Sequence, residues 1–304
     1  MIDGNNPLVS IVILTYNRKE ELRNTLNKSI DQNYKNIEII VVDNNSIDGT
    51  CVMISKEFPN VIYIKLEKNI GAPGYNYGFN SATGEYILVL DDDSYPDKNT
   101  IMAGLEYFNN NKLGIIAYNI FNTRCNISET ANFNSKPYLF IGCGALLSKK
   151  ALANVGNYNN LYFLYNNELD LSARFYDAGY NILYLDNVFV YHNQSPLMRD
   201  ENNQKNPNTT SQKYYYNFLN FMIFLYQNFS IKYVLVYSPK WIFNRFLVAV
   251  KASYYIWFLR AIGKFIKLLP KILKQRRTLT KQTQKFYNNG NVPIFDRDFF
   301  LSKD

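Results

Sequence analysis

The chain is poor in the residues from which disulfide frameworks and metal clusters are built. It has three cysteines, Cys51, Cys125 and Cys143, at spacings that match no zinc pattern, and a single histidine, His192. An odd, widely spaced set excludes a disulfide scaffold and a structural zinc module, and it fits a reducing cytosol. Residues 1–7 lack the basic and apolar blocks of a signal peptide, so export is not expected. No uninterrupted apolar run is long enough to span a bilayer. The most membrane-like stretch, residues 214–231, carries Asn217, Asn220, Gln227, Asn228 and Ser230. Acidic residues are absent from residues 202–295, which hold 15 Lys and Arg, so in a chain of net charge +8 the remainder is net acidic. There is no internal repeat and no low-complexity tract.

What is present is ample core material: 47% of 304 residues are hydrophobic and 16% aromatic. Residues 8–14, Leu-Val-Ser-Ile-Val-Ile-Leu, read as a strand buried on both faces of a parallel sheet. A helix is predicted over 19–30, a second buried strand over 37–42, a helix over 49–58, and further strands over 61–66 and 86–90. Strands alternating with helices predict an α/β fold with a mostly parallel, doubly wound sheet. A helix over 168–178 and a strand over 182–191 follow. Ligands of such sheets bind beyond the carboxyl ends of the strands, where Asn17, Asp43 and Asp91 fall.

Asp91-Asp92-Asp93 ends the strand at 86–90. Three carboxylates there need a positive partner, and a hard divalent cation with oxygen ligands is the usual one; the competing reading is a solvated acidic turn before Pro96. Asp91 and Asp93 share a side of an extended chain and are the expected contacts of Mn²⁺ or Mg²⁺ and a diphosphate, with Asp92 turned toward a sugar or ribose. The loop Asn69-Ile70-Gly71-Ala72-Pro73-Gly74-Tyr75-Asn76-Tyr77-Gly78 offers glycines where backbone can approach a diphosphate, or is simply a turn. Asp43 can accept the imide N–H of uracil or thymine beside Thr15 and Asn17, or can cap a helix. Glu168 is the candidate general base for an attacking hydroxyl. Asp170 is expected to contact the acceptor or to orient Arg174 one helical turn on; an ordinary charged helix start is the alternative. His192, ending a strand near the triplet, can complete a metal site with Asp91 and Asp93 or be a structural residue.

These residues, in this order, resemble glycosyltransferase family 2 with the GT-A nucleotide-diphospho-sugar transferase fold. The match runs over roughly residues 7–196. It is carried by Ser10-Ile11-Val12-Ile13-Leu14-Thr15-Tyr16-Asn17-Arg18, Val42-Asp43-Asn44-Asn45-Ser46 with Asp48-Gly49-Thr50, the 69–78 loop, Leu90-Asp91-Asp92-Asp93, Gly142-Cys143-Gly144-Ala145, Val155-Gly156-Asn157-Tyr158 and Asn167-Glu168-Leu169-Asp170 with Arg174. The resemblance implies that Asp43 meets the donor base, with Gly71 and Asn76 in the donor loop. It implies that Asp91 and Asp93 serve metal and diphosphate, that Glu168 is the base, and that the anomeric carbon is inverted. In relatives similar to rhamnosyl- and galactofuranosyltransferases a histidine after the late strand joins the metal, the position His192 matches. The chain departs from the pattern at Asn167, where the family usually has an acid, and at Leu219-Asn220, where many relatives have Arg-Asn.

Arg260, Lys264, Lys267, Lys271 and Lys274 recur at spacings of 4, 3, 4 and 3 and form one stripe of an amphipathic helix within 253–274, which Pro270 is expected to kink. Its partner is expected to be an anionic membrane surface; a homo-oligomer interface or a cap on the sheet is the competing reading. No nucleic-acid motif accompanies it. The expected organisation is a GT-A catalytic domain at 1–198, with acceptor-binding parts from about 120, a linker at 199–212 and a basic helical region at 213–304. The expected activity is transfer of a hexose from a UDP- or dTDP-sugar to a lipid-linked bacterial surface glycan, on the cytoplasmic face of the membrane. A scaffold that has lost catalysis and a nucleotidyltransferase are the alternatives.

Overall fold

The computed structural model describes residues 6–135, 137–193 and 207–288, side chains of 207–210 excepted. The first buried run forms β1 (Val9–Thr15), followed by α1 (Lys19–Ile30), β2 (Ile37–Asp43), α2 (Thr50–Glu57) and β3 (Ile62–Lys65). A 3₁₀ turn (Ala72–Gly74) leads into α3 (Tyr75–Ser81), and β4 (Tyr86–Asp91) ends on the acidic triplet. Short β5 (Ser94–Pro96), α4 (Thr100–Leu105), β6 (Leu113–Asn122), β7 (Ile127–Ser128), β8 (Ala145–Ser148), α5 (Lys149–Val155), α6 (Asn167–Asp177) and β9 (Asn181–His192) complete the sheet unit.

The strands lie in the order β3-β2-β1-β4-β8-β6-β9-β5, with β7 paired to β6. β1 to β4 are mutually parallel, and β8 enters antiparallel between β4 and β6. The sheet is apolar on both faces, as the β-branched runs require. On one face Ile11, Ile13, Val41 and Leu88 pack with Leu22 and Leu26 of α1 and Ile101 of α4. On the other, Val12, Val42 and Val89 pack with Phe79 of α3, Leu152 of α5 and Phe175 of α6. The α/β sheet read from the sequence is therefore the one observed. β6 is not legible in the sequence spacing, because Gly114 and two asparagines interrupt its pattern. Gly114 is required by packing: a Cβ there would stand 2.4 Å from the Phe175 ring.

The chain divides into two compact units, one of 1–160 with 167–199, the other of 161–166 with 200–304. The second holds α7 (Pro207–Asn228), α8 (Ile231–Lys251), α9 (Tyr255–Lys274) and α10 (Lys281–Asn288). The expected linker at 199–212 is partly corrected: 207–212 already belong to α7, and 199–206 lie outside the described residues. Phe218 to Leu225 are buried on all sides of α7, so this apolar run is a central core helix. No helix among the described residues is long and apolar enough to cross a membrane. The Asn220 amide donates to the carbonyls of Leu164 and Tyr165, steadying a turn in which Tyr165 has φ 65°. α9 runs through Pro270, which is exposed, so the carbonyl it orphans can reach water.

Candidate active site

Parallel β1, β2 and β4 deliver their carboxyl ends to one edge, with Thr15 opposite Asp43 and Leu14 opposite Asp91. The acidic triplet turns immediately after β4, and its three carboxylates separate. Asp91 accepts from the Tyr75 hydroxyl at 2.6 Å. Asp92 is buried and accepts from Thr15 Oγ1 at 2.9 Å and Arg18 Nη1 at 2.6 Å, while its carbonyl accepts from Thr25. Its carboxylate thus faces the β1–α1 junction, where Thr15 and Arg18 occupy it, rather than standing free for the sugar or ribose contact expected. Asp93 accepts from Arg18 Nη2 at 2.7 Å and lies 3.4 Å from His192 Nε2.

Arg18, which closes the β1 motif and has no role readable from sequence, is the cation shared by Asp92 and Asp93. Burial still pushes Asp92 up to about 8, against Arg18. Burial also acts to raise Asp93, yet His192 and Arg18 overcome it and hold the group at about 2. Asp91 is raised by burial and by the neighbouring Asp93.

His192 reaches the triplet through strand pairing: β5 runs antiparallel to β9 with Ser94 opposite His192. The β6–β7 hairpin then brings Glu129 to the same ring, its Oε1 2.9 Å from Nδ1, where Asn122 also donates to it. Burial would lower the imidazole, but Asp93 and Glu129 on its two sides raise it to about 9. A carboxylate on Nδ1 is the arrangement that orients a histidine whose Nε2 serves a metal. Sequence spacing gave no hint of Glu129, since only the hairpin brings it there.

Among the described residues, Asp91, Cys143 and His192 converge, each offering one ligand atom, all within 4.8 Å of one another. The metal residues expected from sequence were Asp91, Asp93 and His192; two of these converge with Cys143, and Asp93 stands between Arg18 and His192. The donors suit a divalent ion: a carboxylate oxygen, an imidazole nitrogen and a sulfur at one point, where negative charge accumulates.

Glu168 sits in the first turn of α6, half-buried. Burial pushes its carboxyl up to about 7, the Asp91 charge adds to this, and backbone N–H groups of Gly142 and of Glu168 itself oppose it. A Cβ on Gly142 would stand 2.5 Å from Glu168 Oε1, so glycine is what lets the carboxylate lie against the chain. Of the two roles expected for Asp170, the one seen is the pairing with Arg174 one helical turn on. Asp170 is buried and accepts from Arg174 Nε at 3.0 Å, and the guanidinium donates to the carbonyls of Val155, Gly156 and Asn157 at the end of α5. The pair locks α6 to α5 and fixes where Glu168 stands.

The donor-side residues are also interlocked. Asp43 is buried and accepts from Ser46 N at 2.7 Å and from the Tyr63 hydroxyl. Asn17, at φ 53°, accepts from Ile47 N and donates its own N–H to Ser46, joining the loops after β1 and β2. Gly71 adopts φ 71°, ψ −149°, which only glycine holds without strain, and Asn44 bridges its carbonyl to Ile70 N. The Asn76 amide pairs with both backbone groups of Tyr158.

The profile of glycosyl transferase family 2 matches residues 10–189. The chain belongs to this family. It is 34% identical over 142 residues to the UDP-Glc:alpha-D-GlcNAc-diphosphoundecaprenol beta-1,3-glucosyltransferase WfaP of Escherichia coli, covering 46% of this chain and 55% of WfaP. It is 25% identical over 222 residues to the glycosyltransferase GlyG of Streptococcus pneumoniae, covering 64% and 74%. The chain spans about half the length, or less, of the curated relatives it matches first. In fold it resembles the mannosyltransferase PcManGT from Pyrobaculum calidifontis in complex with GDP-Man and Mn²⁺, with TM-score 0.60 at 15% identity over 99% of this chain and 89% of that one. It also resembles S. aureus TarS 1–349 in complex with UDP-GlcNAc, with TM-score 0.52 at 18% identity over 62% and 58%. GT-A is the fold expected from the motifs.

Proposed function

We propose that this family 2 member is an inverting, metal-dependent glycosyltransferase that moves a hexose from a UDP- or dTDP-sugar to a lipid-linked glycan at the cytoplasmic face of an anionic membrane. The observation that carries the reading is that the Glu168 carboxylate lies against Gly142, the residue before Cys143 of the convergent group, where burial pushes it up to about 7. Such a group takes a proton from an acceptor hydroxyl as that oxygen attacks the anomeric carbon, while the nucleoside diphosphate leaves from the opposite face. Asp91 and His192, oriented by Tyr75 and Glu129, would hold Mn²⁺ or Mg²⁺ with Asp93 beside them. When bound, the ion neutralises the departing diphosphate. Asp43, Asn17, Gly71 and Asn76 shape the loops on the donor side. The names of WfaP and TarS support a UDP donor, and the diphosphoundecaprenol acceptor of WfaP supports a lipid-linked one.

The membrane reading draws on α8 and α9. Leu235, Phe243 and Val250 on α8 are 68%, 61% and 53% exposed, and Leu259 and Ile266 on α9 are 64% and 61% exposed. Apolar side chains this exposed mark an interaction surface, and the cationic stripe from Arg260 to Lys274 fits anionic headgroups. The apolar residues of α9 divide between two sides: Phe265 and Ile272 are buried, while Ile266 and Leu273 face out beside Ile256 and Leu259.

A thermal-shift screen of nucleotide sugars with and without Mn²⁺ tests the enzyme reading. A UDP- or dTDP-sugar should raise the melting temperature more with Mn²⁺, and EDTA should abolish transfer. Full transfer in EDTA, or indifference to every nucleotide sugar, overturns it.

A further inference from the structure

Cys143 is the one donor in the convergent group for which family resemblance and spacing gave no role. Its position follows from strand register. β8 runs antiparallel to β4 with Val89 opposite Ala145, and continuing that register by two residues brings Cys143 level with Asp91. The turn carrying it is stripped of other side chains. A Cβ on Gly142 would meet Glu168 at 2.5 Å, and one on Gly144 would meet Ile120 Cδ1 at 2.4 Å. The backbone therefore lies flush at both glycines, and Cys143 is the only side chain of the three. Its sulfur, buried at 2% exposure, is within 4.8 Å of ligand atoms of Asp91 and His192. Since Glu129 holds Nδ1, Nε2 is the nitrogen left for the group.

We propose that Cys143 is a sulfur ligand of this metal site, so that the site takes borderline and soft divalent ions such as Zn²⁺ and Cd²⁺ in preference to Mg²⁺; this rests on the reading of Asp91 and His192 as metal residues. Ligand atoms around one tetrahedral ion with bonds of about 2.0–2.3 Å stand roughly 3.3–3.8 Å apart, so three atoms within 4.8 Å of one another draw in by up to about 1.5 Å to close the triad. Hard cations favour oxygen, whereas thiolate selects softer ions, and a coordinating thiol gives up its proton, here to solvent. A buried cysteine can also be a small hydrophobe. That role would leave ion preference unchanged by Cys143→Ser, whereas the ligand role makes Zn²⁺ a competitor of Mn²⁺ whose hold weakens when sulfur becomes oxygen.

The test uses the full chain with the exposed thiols removed, Cys51→Ser with Cys125→Ser, so that Cys143 is the only thiol left. Cd²⁺ is titrated while the ultraviolet sulfur-to-cadmium charge-transfer band is followed, and Mn²⁺ binding in the presence of UDP is read by electron paramagnetic resonance. One equivalent of Cd²⁺ should develop the band and displace Mn²⁺. Adding Cys143→Ser, or Cys143→Ala, should abolish the band, keep Mn²⁺ binding, and weaken competition by Zn²⁺ at least tenfold. If Mn²⁺ binds and Cd²⁺ gives no band, Cys143 is not a ligand and the metal reading stands. If neither ion binds, the metal reading fails and this proposal with it.

Discussion

Replacing Glu168 by Gln removes one ionisable proton and almost no volume, so it separates what the charge does for chemistry from what it costs the fold. The carboxyl titrates at about 7 in the folded chain against an ordinary 4.5. A folded-state value above the unfolded one means that the native protein binds this proton more tightly. The contribution to stability is therefore full below about pH 4.5 and is lost as pH rises through 7. Carrying the charge at pH 8 costs on the order of 2–3 kcal/mol, less where water reaches the half-buried group. At about 2–4 °C per kcal/mol for a chain of this size, Glu168→Gln should melt several degrees above the parent at pH 8 and level with it at pH 5. Transfer should fall about 100- to 10,000-fold, the usual contribution of a positioned base, and the parent's kcat/KM should rise with pH through about 7. Calorimetric melts at the two pH values and release of nucleoside diphosphate from the donor are the measurements. Parallel melting curves at both pH values, or near-normal turnover, would refute the assignment.

Arg18→Gln leaves two buried carboxylates without their shared cation and should destabilise the chain by about 3–5 kcal/mol, read as a lower urea midpoint; an unchanged midpoint would show that the triplet is compensated otherwise. Gly71→Ala forces a Cβ into a left-handed conformation at about 1–3 kcal/mol and should weaken UDP binding in titration calorimetry, and full affinity would separate the loop from the donor. The triple change Leu235→Asp, Phe243→Asp and Leu259→Asp should abolish flotation with anionic vesicles, and flotation of the parent should fall as salt is raised; flotation unaffected by the substitutions would reject the α8–α9 surface.

The parallel half of the sheet was legible because its strands are buried on both faces, which makes Ile11 to Leu14 and Ile39 to Val42 continuous apolar runs. Asp91, Glu168 and His192 were legible as candidates for a related reason: each stands where a strand or helix begins or ends, and sequence marks element ends well. The antiparallel part was harder. β8 is four residues long and β7 two, too short for a period to declare itself.

Sequence alone thus determined the parallel half of the sheet, its strand ends and the charge division between the acidic remainder and the basic C-terminal stretch, all properties of local pattern. Tertiary structure decided who meets whom. Arg18 reaches Asp92 and Asp93 across 74 and 75 residues, and Glu129 reaches His192 across 63. Arg174 turns to the end of α5, and Cys143 converges with Asp91 and His192. These partners are chosen by strand order and register, which bring distant segments together without leaving any periodic trace in either one.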